Sequence, residues 1–177
     1  DIAGDSVILV RGADDRVRGF FNVCRHRGSR LIDATSGTGL NRILCPYHAW
    51  TYRLDGQLAG APEMHKTPGF DAKACRLPGP KTEIWEGFVF VNFDPNAKPL
   101  APRVEKLARF LGNWHMGQMV TVRSFDFEVG WNWKVMIDNY IEAYHHIGAH
   151  RLSLEPVMPT RLVRVEDLPG PFTIVHM

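Results

Sequence analysis

Cysteine is scarce in this sequence, with three in 177 residues. An odd count with no paired framework excludes a disulfide-stapled fold. Charge of one sign is also lacking. The net charge is +2 and no run of Lys or Arg reaches four, so nothing points to nucleic acid or an anionic membrane as partner. No apolar stretch approaches the roughly 20 residues of a membrane span. No signal peptide stands at the start. Hydrophobic and charged shares of 45% and 23% are near globular averages, so disorder is not expected. The length suits one large domain or two small ones. Asp1-Ile2-Ala3-Gly4-Asp5 reads like the middle of a domain, and residues 172–177 like a strand cut short. The sequence is therefore expected to be a piece of a longer chain, and a missing leader carries no weight about location.

What is present is two cysteine–histidine pairs, Cys24-Arg25-His26 and Cys45-Pro46-Tyr47-His48, with eighteen residues between His26 and Cys45. Two thiolates and two imidazoles could hold one tetrahedral zinc. They could equally hold a two-iron cluster, with both cysteines on one iron and both histidines on the other. The order fits a zinc finger poorly, because a finger pairs Cys with Cys and then His with His. Here two similar loops each give one ligand of each kind, which suits a cluster clamped between them. Chance placement would have to produce two motifs whose flanks also match, Asn22-Val23-Cys24-Arg25-His26-Arg27-Gly28 and Cys45-Pro46-Tyr47-His48-Ala49-Trp50.

On these residues the chain resembles the Rieske [2Fe-2S] family. The resemblance implies that Cys24, His26, Cys45 and His48 hold the cluster. Respiratory-complex Rieske proteins add a disulfide-forming cysteine to each cluster loop. Arg27-Gly28-Ser29 and Pro46-Tyr47 contain none, so the chain is more similar to the soluble, lower-potential oxygenase and ferredoxin type. Cys75 is left over as a small thiol without a role. Glycines near a cluster let backbone N–H groups approach its sulfides. Arg25, Arg27, Tyr47 and Trp50 could add contacts around it.

Along the chain, residues 7–10 and 17–23 read as a hairpin across the turn at 12–15. Residues 42–44 lead into Cys45, and 50–52 lead out. Asp55-Gly56 between apolar positions is a two-residue hairpin signal. Short strands with frequent turns indicate an antiparallel β domain. Residues 59–82 read as a long loop, and 85–93 as a buried strand. A boundary is expected near Pro99, giving domains 1–98 and 99–177. Val104, Leu107, Ala108 and Leu111 predict a helix with Pro102 near its start and Gly112 at its end. Residues 119–129 alternate, with a change of parity, and predict a strand that opens a second sheet. The fold class is α+β: an antiparallel β domain, then the start of a domain of helix plus antiparallel sheet.

The stretch 131–150 carries the second constellation. Trp133, Met136, Ile137, Tyr140 and Tyr144 recur at three and four, predicting a helix to about Ile147. Asp138, Asn139, Glu142, His145 and His146 lie on its polar face. Carboxylates and several histidines on an apolar helix are costly to bury unless they bind something. Imidazole with carboxylate suits non-haem Fe(II). Spacing alone leaves the ligands open. His146 and His150 lie about 40° apart round an ideal helix, whereas His145 and His150 converge only if the helix ends between them, where Gly148 offers a break. Half of a di-iron carboxylate site, Glu142-x-x-His145, lacks the second Glu-x-x-His it would need.

Asn132-Trp133-Lys134, Asp138-Asn139-Tyr140, Glu142-Ala143-Tyr144-His145 and His150 resemble the mononuclear-iron segment of Rieske non-haem iron oxygenase α subunits. That resemblance implies His145 and His150 as iron ligands and Asn139 close to the iron. It implies Glu142 as the acid bridging His145 to His48 of the partner subunit. Many aromatic-ring dioxygenases have Asp at the bridge. A Glu there looks more like the oxygenases of quaternary ammonium compounds. The family's third iron ligand is an Asp far downstream, and Glu155, Glu166 and Asp167 come too early to match it.

The resemblance implies a terminal oxygenase component. A reductase or ferredoxin would pass electrons from NAD(P)H to the cluster, and from there to the iron across a subunit interface. The iron would activate O2 to hydroxylate or demethylate a small organic substrate, aromatic or quaternary ammonium. A cytoplasmic homotrimer or α3β3 assembly is implied, with no nucleic acid or membrane. The rival is a Rieske ferredoxin, an electron carrier with no catalysis of its own, in which Glu142, His145 and His150 would have no purpose. A structural zinc protein is a second rival and would be colourless.

Overall fold

A computed structural model describes residues 1–2, 4–167 and 172–176; the last position of the expected cut-short strand, Met177, lies outside these. The chain falls into two compact units, residues 1–102 with 114–119, and residues 103–113 with 120–177. Both combine short strands with helical turns, and the class is α+β as expected.

The first unit is built from small antiparallel sheets. Strands β1 (Val7–Arg11) and β2 (Val17–Phe21) form the expected hairpin, with Val7 opposite Phe21. Strands β3 (Ile43–Leu44), β4 (Thr51–Tyr52) and β5 (Leu58–Gly60) form a second sheet. β-Branched and aromatic residues supply its inward positions, with Ile43 and Tyr52 fully buried. Ile8, Val10, Phe20, Leu31, Trp50 and Leu77 complete a single core, which also contains Cys24 and Cys45. Residues 77–79 run close beside β2, where the Phe21 N–H donates to the Pro78 carbonyl at 2.9 Å. A Cβ on Gly79 would lie 2.0 Å from the Gly19 carbonyl oxygen, so only glycine permits this approach.

Two expectations for this unit need correction. The turn after β4 has three residues, not two: the Arg53 N–H donates to the Gln57 carbonyl, and the Gly56 N–H donates back to Arg53. Gly56 takes the left-handed conformation (φ 88°) that ends a three-residue hairpin loop. Residues 85–93 are not one buried strand. Strand β6 (Lys81–Trp85) turns at Glu86-Gly87, both at positive φ, and returns as β7 (Phe88–Asn92). Phe88 and Phe90 are exposed. Positive φ at two successive residues makes the tight hairpin turn that reverses the chain. The segment 59–82 is largely irregular, with short 3-10 turns at Met64–Lys66 and Ala72–Cys75.

Helix α1 (Ala101–Leu111) forms where the spacing predicts it, and a 3-10 turn begins at Gly112. In the second unit, helix α2 (Trp133–Tyr140) starts at Asn132, whose side chain accepts the Lys134 N–H at 3.0 Å. It ends at Tyr140, about two turns before the expected Ile147. A separate 3-10 turn follows at Tyr144–Ile147. Residues 119–129 form no strand, and Val120, Val122 and Phe127 are exposed. Alternation makes a strand only where another edge pairs with it, and none of the described strands does. The antiparallel pair of this unit is β8 (Arg164–Asp167) with β9 (Thr173–His176). Among the described residues no helix is long and apolar enough to cross a membrane.

Candidate metal centres

The two cysteine–histidine loops share one backbone design. In the first, the Cys24 N–H donates to the Ser29 carbonyl (2.8 Å) and the Gly28 N–H to the Cys24 carbonyl (3.0 Å). In the second, the Cys45 N–H donates to the Trp50 carbonyl (2.8 Å) and the Ala49 N–H to the Cys45 carbonyl (3.1 Å). The fifth residue of each loop is left-handed, Gly28 at φ 70° and Ala49 at φ 57°. Each loop is thereby closed on itself, and both present their Cys inward.

Cys24 and Cys45 are buried and unoxidised. The His26 and His48 rings lie 4.7 Å apart. Trp50 stacks on His26 at 4.7 Å with the planes 6° apart, and Tyr47 lies 3.7 Å from His48. Of the four neighbours expected around the centre, these two aromatics touch the histidines. The Nδ1 atoms of both histidines are buried and have no hydrogen-bond partner among the described residues. Burial of an unpaired polar atom costs about 1–3 kcal/mol, so two side by side require an acceptor of their lone pairs. Burial, then His48 and Arg27, push the His26 pKa down, which favours the neutral ligand form. Burial pushes the Cys45 thiol up, but backbone hydrogen bonds from Tyr47 and His48 and contacts from Cys24 and Ser29 outweigh it and hold it below its ordinary value. Two sulfurs and two imidazoles with free Nδ1 atoms fit a Rieske cluster.

Sequence reasoning missed two residues here. The Tyr52 hydroxyl lies 3.2 Å from Cys24 Sγ and accepts the Arg25 N–H at 3.1 Å. Asn22 accepts the Leu31 and Ile32 N–H groups (3.0 and 2.9 Å) and donates to the Ile32 carbonyl (2.6 Å). It pins the far end of the first loop. Asn22 stood in the motif flank, but Tyr52 lay beyond it and carried no signal except its aromatic ring. Cys75 is half-buried against the core, with Sγ 3.5 Å from the Asp71 carbonyl.

The second set lies where α2 breaks. One Glu142 oxygen accepts the backbone N–H of Tyr144 and of His145, and the other meets His145 Nδ1. The carboxylate thus caps a new turn and stops the helix from continuing. The hydrogen bond with His145 holds the Glu142 carboxyl below its ordinary value against an opposing push from burial. The break lets the histidines gather. The His145 and His150 rings are 5.3 Å apart, His145 and His146 4.8 Å, and His146 and His150 5.8 Å. His150 Nδ1 lies 3.2 Å from Ser153 Oγ. His146 is buried with Nδ1 3.3 Å from the Met158 carbonyl. Asn139 stands exposed on α2 and makes no side-chain hydrogen bond among the described residues. Also among the described residues, no three His, Cys, Asp or Glu side chains are placed to hold a single ion. Glu142 engages His145 through Nδ1, which leaves Nε2 as the ring atom free to ligate.

Comparison with known proteins agrees with both halves. The family described as Rieske [2Fe-2S] domain matches residues 1–71, and the family described as ring hydroxylating alpha subunit (catalytic domain) matches residues 111–171. The chain belongs to the Rieske non-haem iron oxygenase α-subunit family. Within it, the chain is 40% identical over 152 residues to the carnitine monooxygenase oxygenase subunit of Escherichia coli (strain K12), covering 85% of this chain and 40% of that protein. It is 32% identical over 170 residues to the glycine betaine monooxygenase oxygenase subunit of Pseudomonas aeruginosa (strain UCBPP-PA14), covering 96% and 38%. The crystal structure of a quaternary ammonium Rieske monooxygenase in complex with L-carnitine superposes with a TM-score of 0.81 at 34% identity, over 99% of this chain and 49% of that one. The chain spans about 40% of the length of the curated relatives it matches.

Proposed function

We propose that this chain is the metal-bearing part of a terminal oxygenase subunit. A Rieske [2Fe-2S] cluster is held by Cys24, His26, Cys45 and His48, and a mononuclear iron by His145 and His150. When bound, the cluster supplies one-electron transfer and the iron supplies O2 activation for hydroxylating or demethylating a small organic substrate. The observation that carries the reading is the pair of buried Nδ1 atoms, without a hydrogen-bond partner among the described residues, on two rings 4.7 Å apart in the loops that also carry two buried cysteines.

The chain's own residues do the positioning. Trp50 fixes the plane of the His26 ring. The Tyr52 hydroxyl, having accepted the Arg25 N–H, has its proton free for Cys24 Sγ. Glu142 accepts the proton on His145 Nδ1 and so fixes the tautomer that presents Nε2. As the resemblance implies, Glu142 is also read as the link toward His48 of the partner subunit, and Asn139 as a neighbour of the iron. The domains are read as 1–98 and 99–177, which the two family matches support. The substrate is read as a quaternary ammonium compound, which the relatives and the Glu at position 142 support. A reductase drawing on NAD(P)H, directly or through a ferredoxin, is the electron donor, and a cytoplasmic homotrimer or α3β3 the assembly. The catalytic-family match over residues 111–171 speaks against a pure electron carrier.

The test is iron and sulfide analysis with EPR on reduced, anaerobically purified full-length protein. About three irons and two sulfides per chain with a low-average-g Rieske signal are expected. About two irons with the same signal would reduce the reading to an electron carrier. A colourless zinc protein would overturn it.

A further inference from the structure

We propose that Thr160 and Glu155 are positioning residues for the iron pair, acting through the Ala143–Tyr144 peptide. The proposal rests on the reading of His145 and His150 as iron ligands. Thr160 Oγ1 lies 2.9 Å from the Ala143 carbonyl oxygen, seventeen residues away in sequence. The same hydroxyl lies 2.6 Å from Glu155 Oε2, and the Thr160 N–H donates to both Glu155 oxygens at 3.1 and 3.3 Å. These hydrogen bonds from Thr160 hold the Glu155 carboxyl below its ordinary value. The Thr160 N–H ties the residue to Glu155, and its single hydroxyl proton is shared between Glu155 Oε2 and the Ala143 carbonyl.

Ala143 is buried, 4% exposed, and its carbonyl shares a planar peptide with the Tyr144 N–H. That N–H donates to Glu142. Fixing the carbonyl end of the plane fixes the direction of the N–H at the other end. The N–H aims the Glu142 carboxylate, and the carboxylate aims the His145 ring. The Ala143 carbonyl already accepts the His146 N–H at 3.0 Å, and the Thr160 hydroxyl proton it shares with Glu155 is its second partner. Without Thr160 the carbonyl end of the peptide plane at the break after α2 keeps one hydrogen bond, from the His146 N–H, in place of two. No acid near the histidines other than Glu142 and Glu155 makes a hydrogen bond to this segment among the described residues. Glu155 thus has a role although it stands too early in the chain to be the third iron ligand.

The test is Co(II) binding to full-length protein with the cluster retained and the second site emptied, followed by visible absorption. Thr160→Val keeps the volume and removes the hydroxyl. It should weaken Co(II) binding about tenfold, the usual scale for losing a partner behind a metal ligand, and shift the Co(II) bands because the His145 ring is reoriented. Thr160→Ser should restore both. Glu155→Ala should change both in the same direction, and it serves as the readout if Thr160→Val does not fold. The cluster EPR signal should stay unchanged throughout. His145→Ala is the control. Wild-type Co(II) binding by Thr160→Val and Glu155→Ala, with binding lost in His145→Ala, would overturn the clasp and leave the metal reading intact. Thr160→Ser binding as weakly as Thr160→Val would also overturn it. Wild-type binding by His145→Ala would remove the metal reading itself, and the clasp with it.

Discussion

At the scale of single residues, one hydroxyl decides much of the environment of the first centre. Tyr52 is fully buried, accepts one backbone N–H and faces one sulfur. A buried phenol needs a partner for its proton, and a thiolate can only accept. Hydrogen bonds to sulfur stabilise the more negative, reduced state of a cluster and raise its potential. Tyr52→Phe should therefore make the cluster potential more negative, as read by voltammetry. It should also cost about 1–3 kcal/mol in denaturant titration, because the Arg25 N–H loses its acceptor. An unchanged potential would mean that the hydroxyl proton does not reach the sulfur. The two Cys–His pairs read as cluster donors stood out in the sequence because in each pair the Cys and His lie within three residues of one another in a short loop. Tyr52 was not, because its contact with Cys24 spans 28 residues and exists only once β4 is folded.

At the scale of elements, the two cluster loops are one turn made twice, with glycine at the left-handed position of the first and alanine at that of the second. For an L-residue with a Cβ the left-handed conformation costs about 1–2 kcal/mol. A Cβ on Gly28 would meet nothing closer than a Val23 methyl at 3.9 Å, so strain alone would be felt there. Gly28→Ala should lower stability by about 1 kcal/mol, and Ala49→Gly should raise it by less, since glycine also loosens the unfolded chain. Thermal unfolding of the pair checks this, and opposite signs are the required result. The element that misled sequence reasoning was the helix of the second site. Its three-four periodicity continues to Tyr144, yet α2 stops at Tyr140. Periodicity counts apolar positions and cannot register that the Glu142 side chain competes for the backbone N–H groups of Tyr144 and His145. The same blindness made a strand of residues 119–129, whose alternation has no partner edge among the described strands. The break expected at Gly148 was needed for His145 and His150 to meet. A chain turn does separate them, and Glu142 adds an earlier one.

At the scale of the whole molecule, the two sets proposed as metal donors lie in different compact units. Cys24, His26, Cys45 and His48 belong to the unit of residues 1–102, and Glu142, His145 and His150 to the unit of residues 120–177. The first set is built into a core of Ile43, Tyr52 and Trp50, so its loss should be felt in the stability of its own unit. The second hangs on a short turn secured by Glu142 and Thr160, with little apolar burial: Ala143 and His146 are the buried residues there. Loss of one centre should then leave the other in place. In full-length protein, His145→Ala should lose about one of three irons and keep the Rieske EPR signal at full intensity. Cys45→Ser should lose the signal, the sulfide and about two irons, and still bind Co(II) at the second site with wild-type affinity. Metal analysis and EPR on the two variants check this directly. A His145→Ala protein that also lost its cluster would show that the two sets are assembled together, and the description of two self-sufficient units would fail.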